Sequence, residues 1–187
     1  MLRPGVLRLS GRAHPSHTHP DRFRSVTATT TTPTPTLRPA TASDLAAVER
    51  LLAASSLPTA GVAELFAERA GDFVVADDPE RGGELAAVAG LEVCCDDALL
   101  RSVAVRPEWR ARGLGRELVR RVVCDAEARG LRALYLLTTT AERYFPRFGF
   151  APVPRDAVPA EVRDSVEFRS ACPATAVAMA RPLGRAT

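Results

Sequence analysis

The apolar residues from Leu37 onward recur with two different periods, and the period changes from segment to segment. Spacings of three and four, as in Leu45, Val48 and Leu52, are typical of amphipathic helices, whereas short apolar runs bounded by Gly, Pro or Asp are typical of strands. Strands and helices should therefore alternate, which predicts an α/β domain. The pattern predicts strands at Leu37 and over 73–76, 85–93, 99–105, 134–137 and 174–180, and helices from Leu45 and over 57–70, 114–129 and 141–148.

Residues 1–36 lack any such period. The segment is rich in Arg, Thr and Pro. Such a composition buries too little apolar surface to fold, so we predict a disordered tail over 1–36 and one folded domain over 37–187. Three other interpretations of the tail stay open: a mitochondrial presequence, a metal-binding tract of His14, His17 and His19, and a translation start further along, near Val26.

The charge of the chain narrows the class of protein. The net charge of +3 comes from the tail, because the 25 basic and 22 acidic residues leave the segment 37–187 with 20 Arg against 21 acids. A near-neutral domain lacks the basic surface that is typical of nucleic-acid binding, and no apolar run is long enough to cross a bilayer. We expect a soluble, cytoplasmic protein that binds neither nucleic acid nor membrane. Whether it forms a homodimer stays open.

The four cysteines are Cys94, Cys95, Cys124 and Cys172. Their spacing is not that of a zinc site, and no apolar leader directs the chain to an oxidising compartment. Cys94 and Cys95 are adjacent, but neighbours on a strand point to opposite faces of a sheet. We therefore expect free thiols and no bound metal.

A turn with two glycines stands between the predicted strand over 99–105 and the helix over 114–129. Gly113 and Gly115 let a ligand approach the backbone, and the amide N–H groups at a helix N-terminus direct partial positive charge at an anion. Arg110 and Arg112 add formal charge. A plain structural turn is the alternative, and the spacing is neither that of a dinucleotide fold nor that of a P-loop.

With this turn, the chain resembles the GCN5-related N-acetyltransferase (GNAT) superfamily, whose acetyl-CoA signature is Arg/Gln-x-x-Gly-x-Gly/Ala after such a strand. A second family motif, Asn-x-x-Ala followed by an aromatic residue and Gly-Phe, aligns with Thr138, Ala141, Phe145 and Gly149-Phe150. The resemblance implies a mixed, mostly antiparallel twisted central sheet flanked by helices, with acetyl-CoA bound at splayed central strands. It implies acetyl-CoA contacts at Val103, Ala104, Val105, Arg110, Arg112, Gly113, Leu114, Gly115, Arg116 and Thr138.

Acetyl transfer needs a base for the amine, a donor for the oxyanion and a proton for the departing thiolate. The Tyr that protonates the thiolate in many family members falls at Phe145, with Tyr144 one residue earlier, and the Glu of the histone-modifying members falls at Leu99. Those losses favour a small-molecule enzyme. Tyr144 is the candidate acid, and the backbone N–H of Val103 or a neighbour is the expected oxyanion donor. Glu92, an acid in an apolar strand, is the candidate base, with a solvent-facing residue as the alternative.

Four short segments look like the arsenic-resistance N-acetyltransferases, which acetylate arsinothricin or related amino-acid toxins; phosphinothricin acetyltransferases are more distant relatives. The segments are Gly90-Leu91-Glu92, 99–102, 136–142 and Ser165-x-Glu167-Phe168 with Cys172-Pro173. Such a substrate carries a carboxylate and an oxyanionic arsenic or phosphorus group, and Arg binds both in a bidentate manner. We expect Arg101 and Arg155 to bind these groups, with neutral hydrogen bonds from Thr139 and Ser165. A surface ion pair is the alternative for each Arg.

Arg101 and Val103 lie two residues apart on one predicted strand. Side chains at that spacing share a face of the sheet, so we expect both to face the acetyl group. A buried guanidinium there needs an anion, which the substrate or Glu92 would supply. Two other functions stay open: acetylation of another small amine or amino acid, and a non-catalytic acetyl-CoA sensor.

Overall fold

The computed structural model describes residues 34–171 and 173–184, which belong to one compact unit of the chain. Residues 1–33, and with them the three histidines and the interpretations of the tail, lie outside the described residues, as does Cys172. The domain boundary after residue 36 stays a prediction. Among the described residues, no helix combines the length and the apolarity that crossing a bilayer takes.

One sheet organises the described residues. Its strands are β1 (Leu37–Pro39), β2 (Phe73–Asp77), β3 (Leu85–Cys94), β4 (Asp97–Val105), β5 (Ala133–Thr138), β6 (Ala151–Pro152) and β7 (Val177–Pro182). They run in the order β1-β2-β3-β4-β5-β7-β6. Only β4 and β5 pair in parallel; the other neighbours are antiparallel. This confirms the predicted mixed, mostly antiparallel sheet.

Helices cover both faces of the sheet. They are α1 (Leu45–Ala54), α2 (Val62–Arg69), α3 (Leu114–Ala128) and α4 (Ala160–Arg163). On one face, α3 buries Leu118, Val119 and Val122, and each such side chain contributes roughly 1.5–3 kcal/mol. On the other face, α1 and α2 pack against the same strands through Leu52 and Phe66. The sheet is therefore the middle layer of three.

A charged cluster fixes the start of α1. The Asp44 carboxylate accepts hydrogen bonds from both terminal nitrogens of Arg38, at 2.8 and 2.9 Å, and from the Thr41 N–H at 2.8 Å. The hydrogen bond from Arg38 is the main reason why the pKa of Asp44 lies well below its usual range. Arg38 also reaches Asp77 at the end of β2. The cluster thus ties β1, β2 and the first turn of α1 together.

Several predicted elements differ in their bounds. The helix predicted over 57–70 begins only at Val62, because Gly61 has a φ of 76°. Over 141–148, only Phe145–Phe148 is helical, as a 3-10 turn. The last strand begins at Val177 instead of Ala174. Helix α4, strand β6 and a π-helical turn over Glu167–Ala171 were not predicted, because elements this short leave no periodic signal.

A β-bulge interrupts β4 in the middle of the sheet. Gly90 pairs with Arg101 and Val88 with Ala104, so two residues of β4, Ser102 and Val103, stand opposite one residue of β3. The φ of Ser102 is 58°, in the left-handed region. The expectation that Arg101 and Val103 share a face is therefore wrong. Val103 packs on the α3 side, whereas Arg101 reaches the α1–α2 loop on the other.

Strands β4 and β5 separate soon after they meet. They pair only between Asp97–Leu99 and Ala133–Tyr135. Beyond those residues the two strands diverge, and the ladder between them ends. The sheet therefore has a V-shaped opening at its centre, next to the bulge.

Candidate active site

The V between β4 and β5 opens into two adjoining cavities. The inner cavity, of about 250 Å³, extends between the strands, and the outer cavity, of about 380 Å³, lies over the turn before α3. Both are lined by Val105, Gly115 and Tyr144, so these three residues form the passage between them. A ligand with a long thin arm could therefore occupy both cavities at once.

The outer cavity is cationic. Arg110, Arg116 and Arg147 line it, and no acidic residue of the described chain is among its lining residues. Gly113 has a φ of 89°, and a Cβ there would meet no atom within 4 Å, so the space above the turn is open. The first amide groups of α3 face that space without a side-chain cap. The turn therefore suits a phosphate group, as the sequence predicted.

Not every predicted residue of the turn faces the outer cavity with its side chain. Arg112 stacks over the ring of Trp109, 4.8 Å from its centroid, and does not line the cavity. Leu114 is buried in the core beneath α3, and Ala104 is buried on the α1 side. Leu114 and Ala104 could therefore contribute to a ligand site only through their backbones.

The passage is narrow at Gly115. A Cβ added at this glycine would lie 3.1 Å from the Tyr144 hydroxyl and 3.3 Å from Val105 Cγ2. Both distances are shorter than ordinary van der Waals contact. Glycine at this position therefore leaves room that a methyl group would occupy.

Tyr144 places its hydroxyl at the passage, whereas Phe145 lies in the core. Burial raises the pKa of Tyr144, so the hydroxyl keeps its proton at neutral pH. The guanidinium of Arg147 lies over the Tyr144 ring at 4.6 Å. Phe145 is buried and packs edge-on against Phe150. At the shared wall of the cavities, the group able to donate a proton is therefore Tyr144.

Arg101 is the buried centre of an ionic cluster beside the inner cavity. Its side chain is 0% exposed, and it donates to Glu92 Oε2 at 2.7 Å and to the carbonyl of Ala60 at 2.6 Å. Its Nε lies 2.9 Å from Glu167 Oε2, an ion-pair distance, although the N–H is not aimed at that oxygen. Arg101 is therefore held by protein groups on three sides. This is the internal pairing with Glu92 that competes with a direct grip on a substrate oxyanion.

The structure brings some predicted site residues to the inner cavity and leaves others away from it. Arg101, Val103, Val105, Gly115, Thr138 and Tyr144 line it. Of the predicted catalytic and substrate-binding residues, those that do not line it are Glu92, Thr139, Arg155 and Ser165.

Two of those outlying residues support neighbouring structure. The hydroxyl of Ser165 accepts the N–H of Phe168 at 3.2 Å, at the start of the π-helical turn. The guanidinium of Arg155 stacks over the Phe168 ring at 4.5 Å and donates to the carbonyl of Ala176. Both therefore help to hold the segment that carries Glu167.

Two buried polar residues of the inner cavity were missed by the sequence reasoning. Glu167 lines the cavity, and its side chain is 8% exposed. Ser102 also lines it; this residue is 7% exposed, and its hydroxyl has no hydrogen-bond partner among the described residues. Glu167 belonged to a segment that carried the resemblance, so it could have been found. No pattern in the sequence predicts the bulge that brings Ser102 to the cavity.

Three of the four cysteines lie within the described residues, and they form no disulfide there. Cys94, Cys95 and Cys124 are free thiols, and burial raises the pKa of Cys94 to about 12, which keeps it from acting as a thiolate. Within residues 34–171 and 173–184, no group of three or more His, Cys, Asp or Glu residues is arranged to hold a metal ion.

The central part of the chain matches a known protein-family model. Residues 69–152 match the family model described as "Acetyltransferase (GNAT) domain". An amino-acid acetyltransferase of Pseudomonas fluorescens (strain Pf0-1) is 39% identical over 83 residues, which are 43% of this chain and 19% of that protein. The chain thus spans about a fifth of the length of this curated relative.

Solved structures share the fold over a larger part of the chain. Rv2747 from Mycobacterium tuberculosis, solved in complex with CoA and NLQ, is 27% identical with a TM-score of 0.67, and the match covers 80% of this chain and 100% of that one. N-acetylglutamate synthase from Neisseria gonorrhoeae, complexed with coenzyme A and N-acetyl-glutamate, is 22% identical with a TM-score of 0.66, covering 82% of this chain and 36% of that one. The latter likeness concerns the fold alone.

Proposed function

We propose that this chain, which carries a GNAT acetyltransferase domain, transfers the acetyl group of acetyl-CoA to the amine of a small amino acid. The observation that carries the proposal is the pair of joined cavities. A cationic cavity over the start of α3 leads past Tyr144 into a mostly apolar cavity between splayed strands. This is the shape that a phosphorylated ligand with a long arm and a reactive thioester end requires.

The residues of the two cavities suit each part of acetyl-CoA. The pyrophosphate would be held by Arg110, Arg116 and the free N–H groups at the start of α3. The pantetheine arm would pass Gly115 and lie along β4, where the backbone has no pairing with β5. The acetyl group would then lie in the inner cavity, beside the bulge.

Acetyl transfer makes a C–N bond and breaks a C–S bond. The lone pair of the acceptor nitrogen attacks the thioester carbonyl carbon, and the tetrahedral intermediate expels the CoA thiolate with the electron pair of the C–S bond. We infer that Tyr144 donates its proton to that sulfur, since its hydroxyl lies at the passage and its raised pKa keeps it protonated. The presence of this donor favours an enzyme over an acetyl-CoA sensor.

The acceptor class is inferred from relatives and from resemblance. The matching Pseudomonas protein is an amino-acid acetyltransferase. Arsinothricin and phosphinothricin are α-amino acids with a second acidic group, as glutamate is. We therefore propose an acceptor of this chemical type, with arsenic resistance as the narrower hypothesis. Arg101 already pairs with Glu92 and Glu167, so an acidic group of the acceptor that binds Arg101 would compete with these two carboxylates.

A thiol-release assay tests the proposal. The full chain is incubated with acetyl-CoA and, in parallel, glutamate, glutamine, arsinothricin, phosphinothricin or an uncharged alkylamine. The expected result is thiol release that depends on an α-amino acid, with the highest kcat/KM for an acceptor bearing a second acidic group. Thiol release with the alkylamine alone would show that the acceptor is another small amine instead of an amino acid. No thiol release with any acceptor would contradict the proposed acetyltransferase activity.

A further inference from the structure

We propose that Glu167 is the carboxylate that receives the acceptor amine in the inner cavity and takes the proton that its nitrogen loses, with Arg101 as the residue that positions it. The proposal rests on the proposed acetyl transfer and assigns a residue to its base. Glu167 lies on the π-helical turn Glu167–Ala171, near the C-terminal end of the domain, far in sequence from β4.

Glu167 lies where it can receive an amine that enters the inner cavity. Among the described residues that line the inner cavity, Glu167 is the one acid. Its side chain is 8% exposed, so the carboxylate is largely shielded from bulk water. An amine that enters the cavity to reach a thioester beside Val103 therefore meets this carboxylate.

The acceptor amine carries a positive charge before it reacts. An aliphatic amine is mostly an ammonium ion at neutral pH, and an ammonium has no lone pair for attack. A shielded carboxylate attracts the ammonium strongly because water is excluded. A carboxylate within hydrogen-bond reach of the nitrogen can also act as the general base that accepts its proton. The charged and titratable groups near Glu167 include Arg101 on β4, which pairs with it, Glu92 on β3, which pairs with the same guanidinium, and Tyr144, which lines the same cavity.

Arg101 contacts Glu167 through an ion pair, whereas its well-aligned hydrogen bonds go to other groups. Its terminal nitrogens donate to Glu92 and to the Ala60 carbonyl, while its Nε makes an ion pair with Glu167 that is off the N–H direction. Arg101 thus links the α1–α2 loop, β3 and the π-helical turn around one end of the cavity.

The protons balance in this scheme. The ammonium loses one proton to Glu167, and the neutral nitrogen attacks the thioester carbon. After the C–S bond breaks, the thiolate takes a proton from Tyr144, which regains one as the amide nitrogen loses its second. Glu167 then releases its proton to solvent. The net change is one acetyl amide, one CoA thiol and one proton released.

Glu92 provides the matched comparison for the test. Glu92 and Glu167 contact the same guanidinium, but only Glu167 lines the inner cavity. The variants Glu167→Gln and Glu92→Gln each remove one carboxylate charge beside Arg101. The melting temperature and the affinity for acetyl-CoA show whether each variant is folded and binds acetyl-CoA. Glu167→Asp tests whether a shorter carboxylate restores activity.

We expect Glu167→Gln to lower kcat/KM at pH 7 by roughly a hundredfold, and Glu92→Gln to lower it far less. The deficit of Glu167→Gln should shrink as the pH rises toward the pKa of the acceptor amine, since a neutral amine needs no base. A purely structural loss would not shrink in this way.

Equal losses in the two Gln variants, or a deficit that is independent of pH, would overturn the assignment of Glu167. A large loss in Glu92→Gln alone would transfer the role of base to Glu92. These outcomes all require a wild-type chain that turns over acetyl-CoA with an amino acid. If the wild type shows no turnover, the proposed function fails instead.

Discussion

Replacing Gly115 by Ala should block the passage between the two cavities while leaving the domain folded. The added methyl group would lie 3.1 Å from the Tyr144 hydroxyl and 3.3 Å from Val105 Cγ2, each a few tenths of an ångström too close. Overpacking of this kind costs about 1–3 kcal/mol, and the lower end applies because the half-buried Tyr144 can shift. Ala is favoured over Gly in a helix by up to about 1 kcal/mol. The net change in the free energy of unfolding should therefore be small.

The effect on acetyl-CoA should be much larger, because in the proposed binding mode the pantetheine arm passes the same three residues. We expect the affinity for acetyl-CoA to fall about tenfold or more, which corresponds to at least about 1.4 kcal/mol. Calorimetric titration of acetyl-CoA into the wild type and into Gly115→Ala measures the difference. Gly71→Ala is the matched control, since a Cβ at Gly71 meets no atom within 4 Å.

An unchanged affinity for acetyl-CoA in a folded Gly115→Ala variant would refute the assignment of this passage. Thermal melting of both variants belongs to the same experiment. A melting temperature close to the wild type, together with weak binding, is the expected combination for Gly115→Ala.

Three further changes test other parts of the molecule. Tyr144→Phe should lower kcat by roughly a hundredfold at unchanged acetyl-CoA affinity, because the thiolate loses its donor; pre-steady-state thiol release measures this, and a loss below threefold would exclude Tyr144 as the acid. Asp44→Asn should lower the free energy of unfolding by roughly 1–2 kcal/mol at pH 7, a figure discounted because Arg38 is one-third exposed. Because the pKa of Asp44 is lower in the folded than in the unfolded state, the carboxylate stabilises the fold above about pH 4, and this stabilisation disappears as the pH falls. Urea unfolding at pH 7 and at low pH should therefore show the difference from the wild type closing. Ser102→Gly should raise the free energy of unfolding by about 1 kcal/mol, because it relieves a left-handed φ and an unpaired buried hydroxyl; a loss of stability in chemical denaturation would show that the native hydroxyl is satisfied.

The long periodic segments of the chain were predictable because their side chains report burial directly. Helix α3 and strands β2 and β3 lie within two residues of their predicted bounds. The glycine turn before α3 was also predictable, because Gly113 and Gly115 stand between a strand pattern and a helix pattern, and helix α3 begins at Leu114. These elements fixed the fold class and the outer cavity.

The inner cavity was less accessible to sequence reasoning. The bulge at Ser102 shifts the alternation of β4 by one residue, so every face assigned beyond it by counting is reversed. The pairing of Arg101 with both Glu92 and Glu167 joins segments that are far apart in the chain. Glu167 reaches the cavity on a single π-helical turn, whose length leaves no periodic pattern. Local patterns carry no information about such contacts.

The central claim is that this chain moves an acetyl group from acetyl-CoA to the α-amine of an amino acid. Mass spectrometry of a reaction with isotopically labelled acetyl-CoA tests it directly, with glutamate, arsinothricin and phosphinothricin as separate acceptors. The account predicts that the labelled acetyl group appears on the nitrogen of at least one of these amino acids, and only when the full chain is present. Acetyl-CoA that stays intact with every acceptor, or that is hydrolysed to labelled acetate without any acetylated amine, would contradict it.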